Sequence, residues 1–382
     1  MLDDNKRQFF IHGYLGFKNT GDEAMLYALL HKINEYFPKD IFVISSKSKS
    51  IAIPKNMQNR VKIIKIDMKT RLIELHRSSF FIITGGTSIF DYTKSRFLNI
   101  LGLLLYFRLL LLAKICCKKL LFLSIGVSPI SSRFGNYIAK KMYETADYIT
   151  VRDKQSLKLL KDMHVKTKVK LSFDLSAFLP IPSSKKIDKK NENVLGVSIL
   201  PYYLAYRNNR KKDMIFLDNI ANALQIWLKK NKNNKVHLFT FQGKHGKSIL
   251  NDEDITKELY KKLNYSNSVK LFPYQPNPIK IISEMEKCNA ILGMRYHASL
   301  FACFIKKPLI MINYQTKCIS LAEDFNLQDN AIISPEQILN GKLDGYIEKL
   351  LKNPKDFIAR SSLESLQKRN FLFDDEMLKA IS

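Results

Sequence analysis

In the stretch Gly293-Met294-Arg295-Tyr296-His297-Ala298, a guanidinium and an imidazole stand two residues apart where an apolar run gives way to a helical pattern. A guanidinium fork holds carboxylate or phosphate oxygens in pairs, and imidazole is the side chain that exchanges protons near neutral pH. A lone loop histidine is more often structural, but one beside an arginine at a strand end is placed for chemistry on an anion. Lys317, after Tyr314-Gln315-Thr316, adds a cation at the neighbouring strand end, although taken by itself it reads as a solvated loop lysine. Arg152-Asp153 follows another strand-like run. Asp153 suits a helix cap, which leaves Arg152 two readings, an anion clamp or a salt bridge.

A glycine-bearing loop from Gly13 and Gly16 to Gly21-Asp22-Glu23 opens a helix over 24–30. Helix N-termini attract anions, but Asp22 and Glu23 already complement the dipole and would repel a phosphate. Asp22 therefore suits either a sugar hydroxyl or the capping of its own helix. Gly85-Gly86-Thr87 and Ser124-Ile125-Gly126-Val127-Ser128-Pro129 close two further runs. Missing side chains there let a substrate approach the backbone, or simply permit a tight turn.

These groups need strand ends to hold them, and the sequence supplies a series. Short runs rich in Ile, Val and Phe at 9–12, 41–45, 80–84, 120–125, 148–151 and 170–172 alternate with helical patterns, which means a parallel sheet. Residues 179–193 turn abruptly to Pro, Ser, Lys, Asp and Asn and read as a linker. A second series follows at 194–200, 236–241, 269–272, 290–293, 309–313 and 331–334, with an amphipathic helix over 214–230. The expected architecture is α/β, two doubly wound Rossmann-like domains facing a cleft that holds the active site: 1–178, then the linker 179–193, then 194–350 with the Arg-x-His motif. Residues 351–382 form a helical segment that is expected to pack back on the first domain.

A chain of 382 residues with 46% hydrophobic and 25% charged residues has ordinary globular composition and room for two cores. The excess of 62 Lys+Arg over 35 Asp+Glu gives a formal charge of +27. This attracts anions, but the lysines are spread along the chain and carry no dense basic arm or RNA-binding aromatic signature, so nucleic acid is not expected as a partner. The five cysteines show no CxxC spacing, which fits a reducing compartment, and the charged start of the chain lacks a signal-peptide pattern. A cytoplasmic protein is expected. Residues 97–117 approach membrane-spanning length, yet Arg108 and Lys114 interrupt them. The expected form is a helix buried against the sheet, with peripheral contact to the inner face of the cell membrane as the other reading.

Taken together, the motifs resemble the polysaccharide pyruvyl transferase family. The resemblance rests on Lys18-Asn19-Thr20-Gly21-Asp22-Glu23, Gly85-Gly86, 124–129, Val151-Arg152-Asp153 with Ser156, Asp174, 293–298 and Tyr314-Gln315-Thr316-Lys317, in order over about 9–326. Departures are Lys18 and Thr20 in place of smaller or apolar residues, Thr87 where a third glycine is common, and Gln315-Thr316 for the usual Asp-Pro. The resemblance implies a GT-B-like fold, phosphoenolpyruvate as donor, and as acceptor a sugar of a surface polysaccharide or its lipid-linked or nucleotide-linked precursor. On that basis Arg152, Arg295 and Lys317 are expected to bind the donor's phosphate and carboxylate, and His297 to act as general acid. Asp22 or Asp174 would orient the acceptor, with Gly21, Glu23, Gly85, Gly86 and Tyr314 lining the substrate site; no cofactor or metal is expected. A nucleotide-sugar glycosyltransferase of the same architecture is the main rival, and a non-catalytic membrane-docked scaffold is a reading of another class.

Overall fold

A computed structural model describes residues 6–87, 89–91, 93, 95–181, 192–245, 251–264, 267–369, 374 and 377. The chain divides by contacts into two units, one of Met1–Phe17, Asp22–Leu179 and Leu366–Ser382, the other of Lys18–Gly21 and Pro180–Ser365. The glycine motif before the first helix is thus shared between the units, whereas the sequence reading keeps it whole in the first domain. Most of the expected linker, 182–191, lies outside the described residues.

In the first unit the strands are β1 (Gln8–His12), β2 (Ile41–Ser46), β3 (Val61–Lys65), β4 (Phe80–Thr84), β5 (Lys119–Ile125), β6 (Tyr148–Val151) and β7 (Val169–Leu171). They form one parallel sheet in the order β3-β2-β1-β4-β5-β6-β7. The helices are α1 (Thr20–Tyr36), α2 (Met68–Arg77), α3 (Arg96–Cys116), α4 (Arg133–Tyr143) and α5 (Lys154–Asp162). Alternate strand residues feed two cores. Phe9, Ile11, Phe42 and Ile82 pack with Met25 and Leu29 of α1, while Phe10, Val43, Phe81 and Phe122 pack with Leu103 and Leu110 of α3 and Ile138 of α4. Burial on both faces explains why these strands are continuous apolar runs rather than alternating ones.

The expectation that the 97–117 helix is buried holds for only part of it. Leu103, Leu109, Leu110 and Ala113 of α3 are buried, but seven large apolar side chains of the same helix are exposed.

The second unit repeats the scheme with β8 (Asn193–Ser198), β9 (Asn234–Phe239), β10 (Val269–Phe272), β11 (Ala290–Gly293), β12 (Leu309–Ile312) and β13 (Ile332–Ile333). Its parallel order is β10-β9-β8-β11-β12-β13. The helices that matter for the site are α6 (Tyr202–Arg207), α7 (Arg210–Lys230), α8 (Glu253–Lys262), α9 (Pro278–Glu286), α10 (Tyr296–Phe304) and α11 (Thr316–Phe325). In each sheet the strand order reverses direction once, beside β1 and β4 in the first and beside β8 and β11 in the second. Ligands bind doubly wound sheets outside the carboxyl ends of the strands at such reversals.

Candidate active site

The expected site residues follow the carboxyl ends of strands, in one group in each unit. In the first unit Asp22, in the first turn of α1, is buried, and its Oδ1 accepts from the backbone N–H of Gly86 at 3.3 Å. Arg152 leaves the end of β6 and lies across the loop that follows β5. A Cβ at Gly126 would stand 2.9 Å from Nη2 of Arg152, so the guanidinium occupies the space that this glycine leaves open. Gly85 and Gly86 border the same space, each within 4 Å of Asp22 by the same measure.

Arg152 itself is buried between carboxylates. Its Nε is 3.3 Å from Oδ2 of Asp153, and Nη1 is 3.8 Å from Oδ2 of Asp174, which is fully buried. Asp153 also caps α5 by accepting from Ser156 N at 2.7 Å, and Asp174 accepts from the N–H and hydroxyl of Ser176 at 2.9 and 2.6 Å. Arg152 thus forms ion pairs within its own unit. Glu23, beside Asp22, is buried as well. Two carboxylates paired with one arginine, with Asp22 bordering the same glycine space, form a group suited to accept hydrogen bonds from hydroxyls.

The second group is built on β11. Met294 N donates to Ser198 O at 2.8 Å, which ties the ends of β8 and β11 together, and α10 starts immediately after Arg295. The Arg295 Nε lies 2.9 and 3.0 Å from the two oxygens of Asp252, a fully buried residue at the start of α8. Gln242 N donates to the same carboxylate at 3.0 Å. Burial pushes the Asp252 carboxyl up from its ordinary value against the pull of the guanidinium. Burial also opposes charge on Arg295, but Asp252 outweighs it and holds the guanidinium above its ordinary value. Arg295, expected to bind an anion, is oriented by Asp252.

His297 follows in the first turn of α10. Its ring lies edge-on to Tyr296 at 5.2 Å and tilted to Phe301 at 5.8 Å. The other wall is Gly21: a Cβ built there would sit 2.0 Å from Nδ1 of His297. Residues 18–21 reach this position by running antiparallel to 241–243, with Thr20 N donating to Phe241 O and Gly243 N to Lys18 O, both at 2.9 Å. Lys317 lies in the first turn of α11, where a cation opposes the helix dipole and gains nothing from it. Its Nζ is 5.5 Å from the ring of Tyr314 and 5.8 Å from that of Tyr296, which holds the charge over two aromatic faces.

Three residues of this group escaped the sequence reading. Asp252 reads as one more acid in Asn251-Asp252-Glu253-Asp254, and only the fold shows it meeting Arg295. Tyr202 and Tyr206 of α6 pack against Tyr314 at 6.1 and 6.0 Å and complete an aromatic wall beside Arg295. The cluster Tyr202-Tyr203 directly after β8 was the available signal.

Two doubly wound parallel-sheet units define a GT-B-like fold. Solved structures with this fold include UDP-GlcNAc 2-epimerase from Neisseria meningitidis (TM-score 0.58, 12% identity, covering 98% of this chain and 99% of that one). A UDP-forming trehalose-phosphate synthase from Burkholderia xenovorans gives a TM-score of 0.55 at 10% identity, with 98% of each chain covered. At that identity the likeness concerns the fold. The sequence itself is specific: residues 19–316 match the family model described as polysaccharide pyruvyl transferase, and the chain belongs to that family of transferases. A search of curated proteins found no match.

Proposed function

We propose that the protein transfers the enolpyruvyl unit of phosphoenolpyruvate to a hydroxyl pair on a sugar of a surface polysaccharide or its precursor, forming a ketal and releasing phosphate. The observation that carries this reading is the seat of His297, an imidazole fixed between Gly21 and two rings in the same turn as an oriented arginine. The reaction needs that combination. Protonating the methylene carbon of the donor makes a methyl group and leaves the adjacent carbon electrophilic. One sugar hydroxyl adds there, the C–O bond to phosphate breaks, and the second hydroxyl closes the ketal. Of the two hydroxyl protons, one balances the proton delivered to carbon and the other leaves with phosphate.

His297 is the general acid for the first step. Lys317 and Arg295 bind the anionic donor, with Asp252 fixing the plane of the Arg295 fork. Arg152, expected from sequence in the donor set, is paired with Asp153 and Asp174. In this reading it positions Asp174, and with Asp22 and Glu23 that group serves the acceptor hydroxyls. Tyr314, Gly85 and Gly86 line these two sets. The five cysteines are all free, which supports a cytoplasmic site of action.

The test is release of phosphate from phosphoenolpyruvate in the presence of a panel of sugar acceptors. Release of nucleoside diphosphate from a sugar nucleotide, with no use of phosphoenolpyruvate, would instead establish the glycosyltransferase rival. His297→Ala should keep the fold and lose turnover by roughly two or more orders of magnitude, the scale of a lost general acid. Turnover close to that of the parent protein would remove His297 from the mechanism.

A further inference from the structure

Helix α3 has an unusual surface for its place in the fold. It is 21 residues long, about 31 Å at the usual rise, and apolar enough to cross a bilayer, yet only 28% of its most apolar window is buried. It does not span. The strands it connects, β4 and β5, are parallel neighbours in one sheet, paired from Phe80↔Lys119 to Thr84↔Leu123, and the inner side of α3 belongs to the core of that sheet. A crossover helix of this composition should be mostly covered. Instead, α3 carries seven of the 21 large apolar side chains exposed among the described residues, including Phe97 at 72% and Ile115 at 81%. Leu101 and Leu105 continue the stripe at helical spacing, and Phe134 and Tyr137 extend it onto α4.

The charge on this face identifies its occupant. Neither α3 nor α4 contains a carboxylate, whereas Arg96, Arg108 and Arg133 are exposed on them, with Arg108 inside the apolar stripe. A second copy of the chain would bring arginines against arginines with no acid on either helix to meet them. An anionic lipid surface offers phosphates to the arginines and acyl chains to the phenylalanines and leucines. We propose that the outer face of α3 and α4 docks the protein on an anionic phospholipid bilayer, lying in the interface plane.

Sedimentation with phosphatidylglycerol-containing vesicles tests this on the full chain. Binding is expected to these vesicles and to fall strongly on pure phosphatidylcholine and with added salt. Leu105→Glu combined with Ile115→Glu should weaken binding at least about tenfold, because two buried leucine-sized contacts become charges against a like-charged surface. Arg108→Glu should weaken it roughly fivefold or more. All three positions are exposed, so thermal unfolding should be unchanged. Equal binding to neutral and anionic vesicles, or unaltered binding by the double variant, overturns the proposal. So does a dimer in solution that the double variant dissociates without any vesicle binding. The measurement needs no turnover, so it stands or fails separately from the pyruvyl-transfer reading.

Discussion

At Gly21 a residue is chosen against its own helix. It lies in the first turn of α1, where alanine would be favoured by up to about 1 kcal/mol on propensity, but an alanine methyl would occupy the place of the His297 ring. Gly21→Ala should therefore cost about 1–3 kcal/mol of overpacking against that ring, less the helix-propensity gain, while the displaced imidazole lowers kcat on the order of 100-fold. Phosphate-release kinetics beside a thermal melt separate the two effects. A kcat within a few-fold of the parent would mean that the ring position is not critical. Arg295 makes the complementary point about residue-level reading. The sequence shows which side chain can hold an anion, but its partner Asp252 is 43 positions away, and nothing local marks it as the group that sets the fork.

Lys18 shows the same tension at the scale of an element. It takes φ 56° in the turn that leads into α1, a left-handed conformation that costs a side-chain-bearing residue roughly 1 kcal/mol or more, and this is a position where the sequence departs from the family motif. Lys18→Gly should raise stability by about 0.5–1 kcal/mol after the extra freedom of the unfolded glycine is counted, measurable by urea unfolding. A destabilised variant would show that the lysine side chain has a role its exposure does not suggest. Elements with both faces buried were legible: β4, β6 and β11 fall on the runs expected for them, because a central parallel strand writes itself as uninterrupted apolar sequence. β3 was not, because Val61-Lys62-Ile63-Ile64-Lys65 is an edge strand whose lysines read as surface. The aromatic wall of α6 was missed for a different reason. A six-residue helix has too little periodicity to announce itself, and its tyrosines gain meaning only through Tyr314.

For the molecule as a whole, acid sensitivity follows from a buried histidine outside the proposed chemistry. His12, at the end of β1, packs against Phe81 and Tyr106, and burial, helped by Arg71, lowers its pKa from 6.5 to about 3. Between those values the unfolded chain binds a proton that the folded one does not, so stability falls as pH drops from 6.5 toward 3 and is regained as pH rises. His237, lowered to about 4 chiefly by burial, contributes with the same sign. His12→Phe should flatten this dependence without abolishing it, seen as a smaller spread of urea midpoints across the acid range. An unchanged slope would assign the acid sensitivity elsewhere.

The two sheets have matching strand order, but their units are not equally continuous in sequence. Met377 is buried in the core under α1, Asp374 accepts from Tyr148 at 3.1 Å and pairs with Lys170 at 2.7 Å, and Gln367 donates to Ala177 at 2.6 Å. On the ribosome, the seven strands of that sheet emerge early and must wait through the synthesis of just over two hundred further residues before their last core side chain is available. An amino-terminal fragment ending near residue 179 would accordingly be a poor expression product, held open at the place where Met377 belongs.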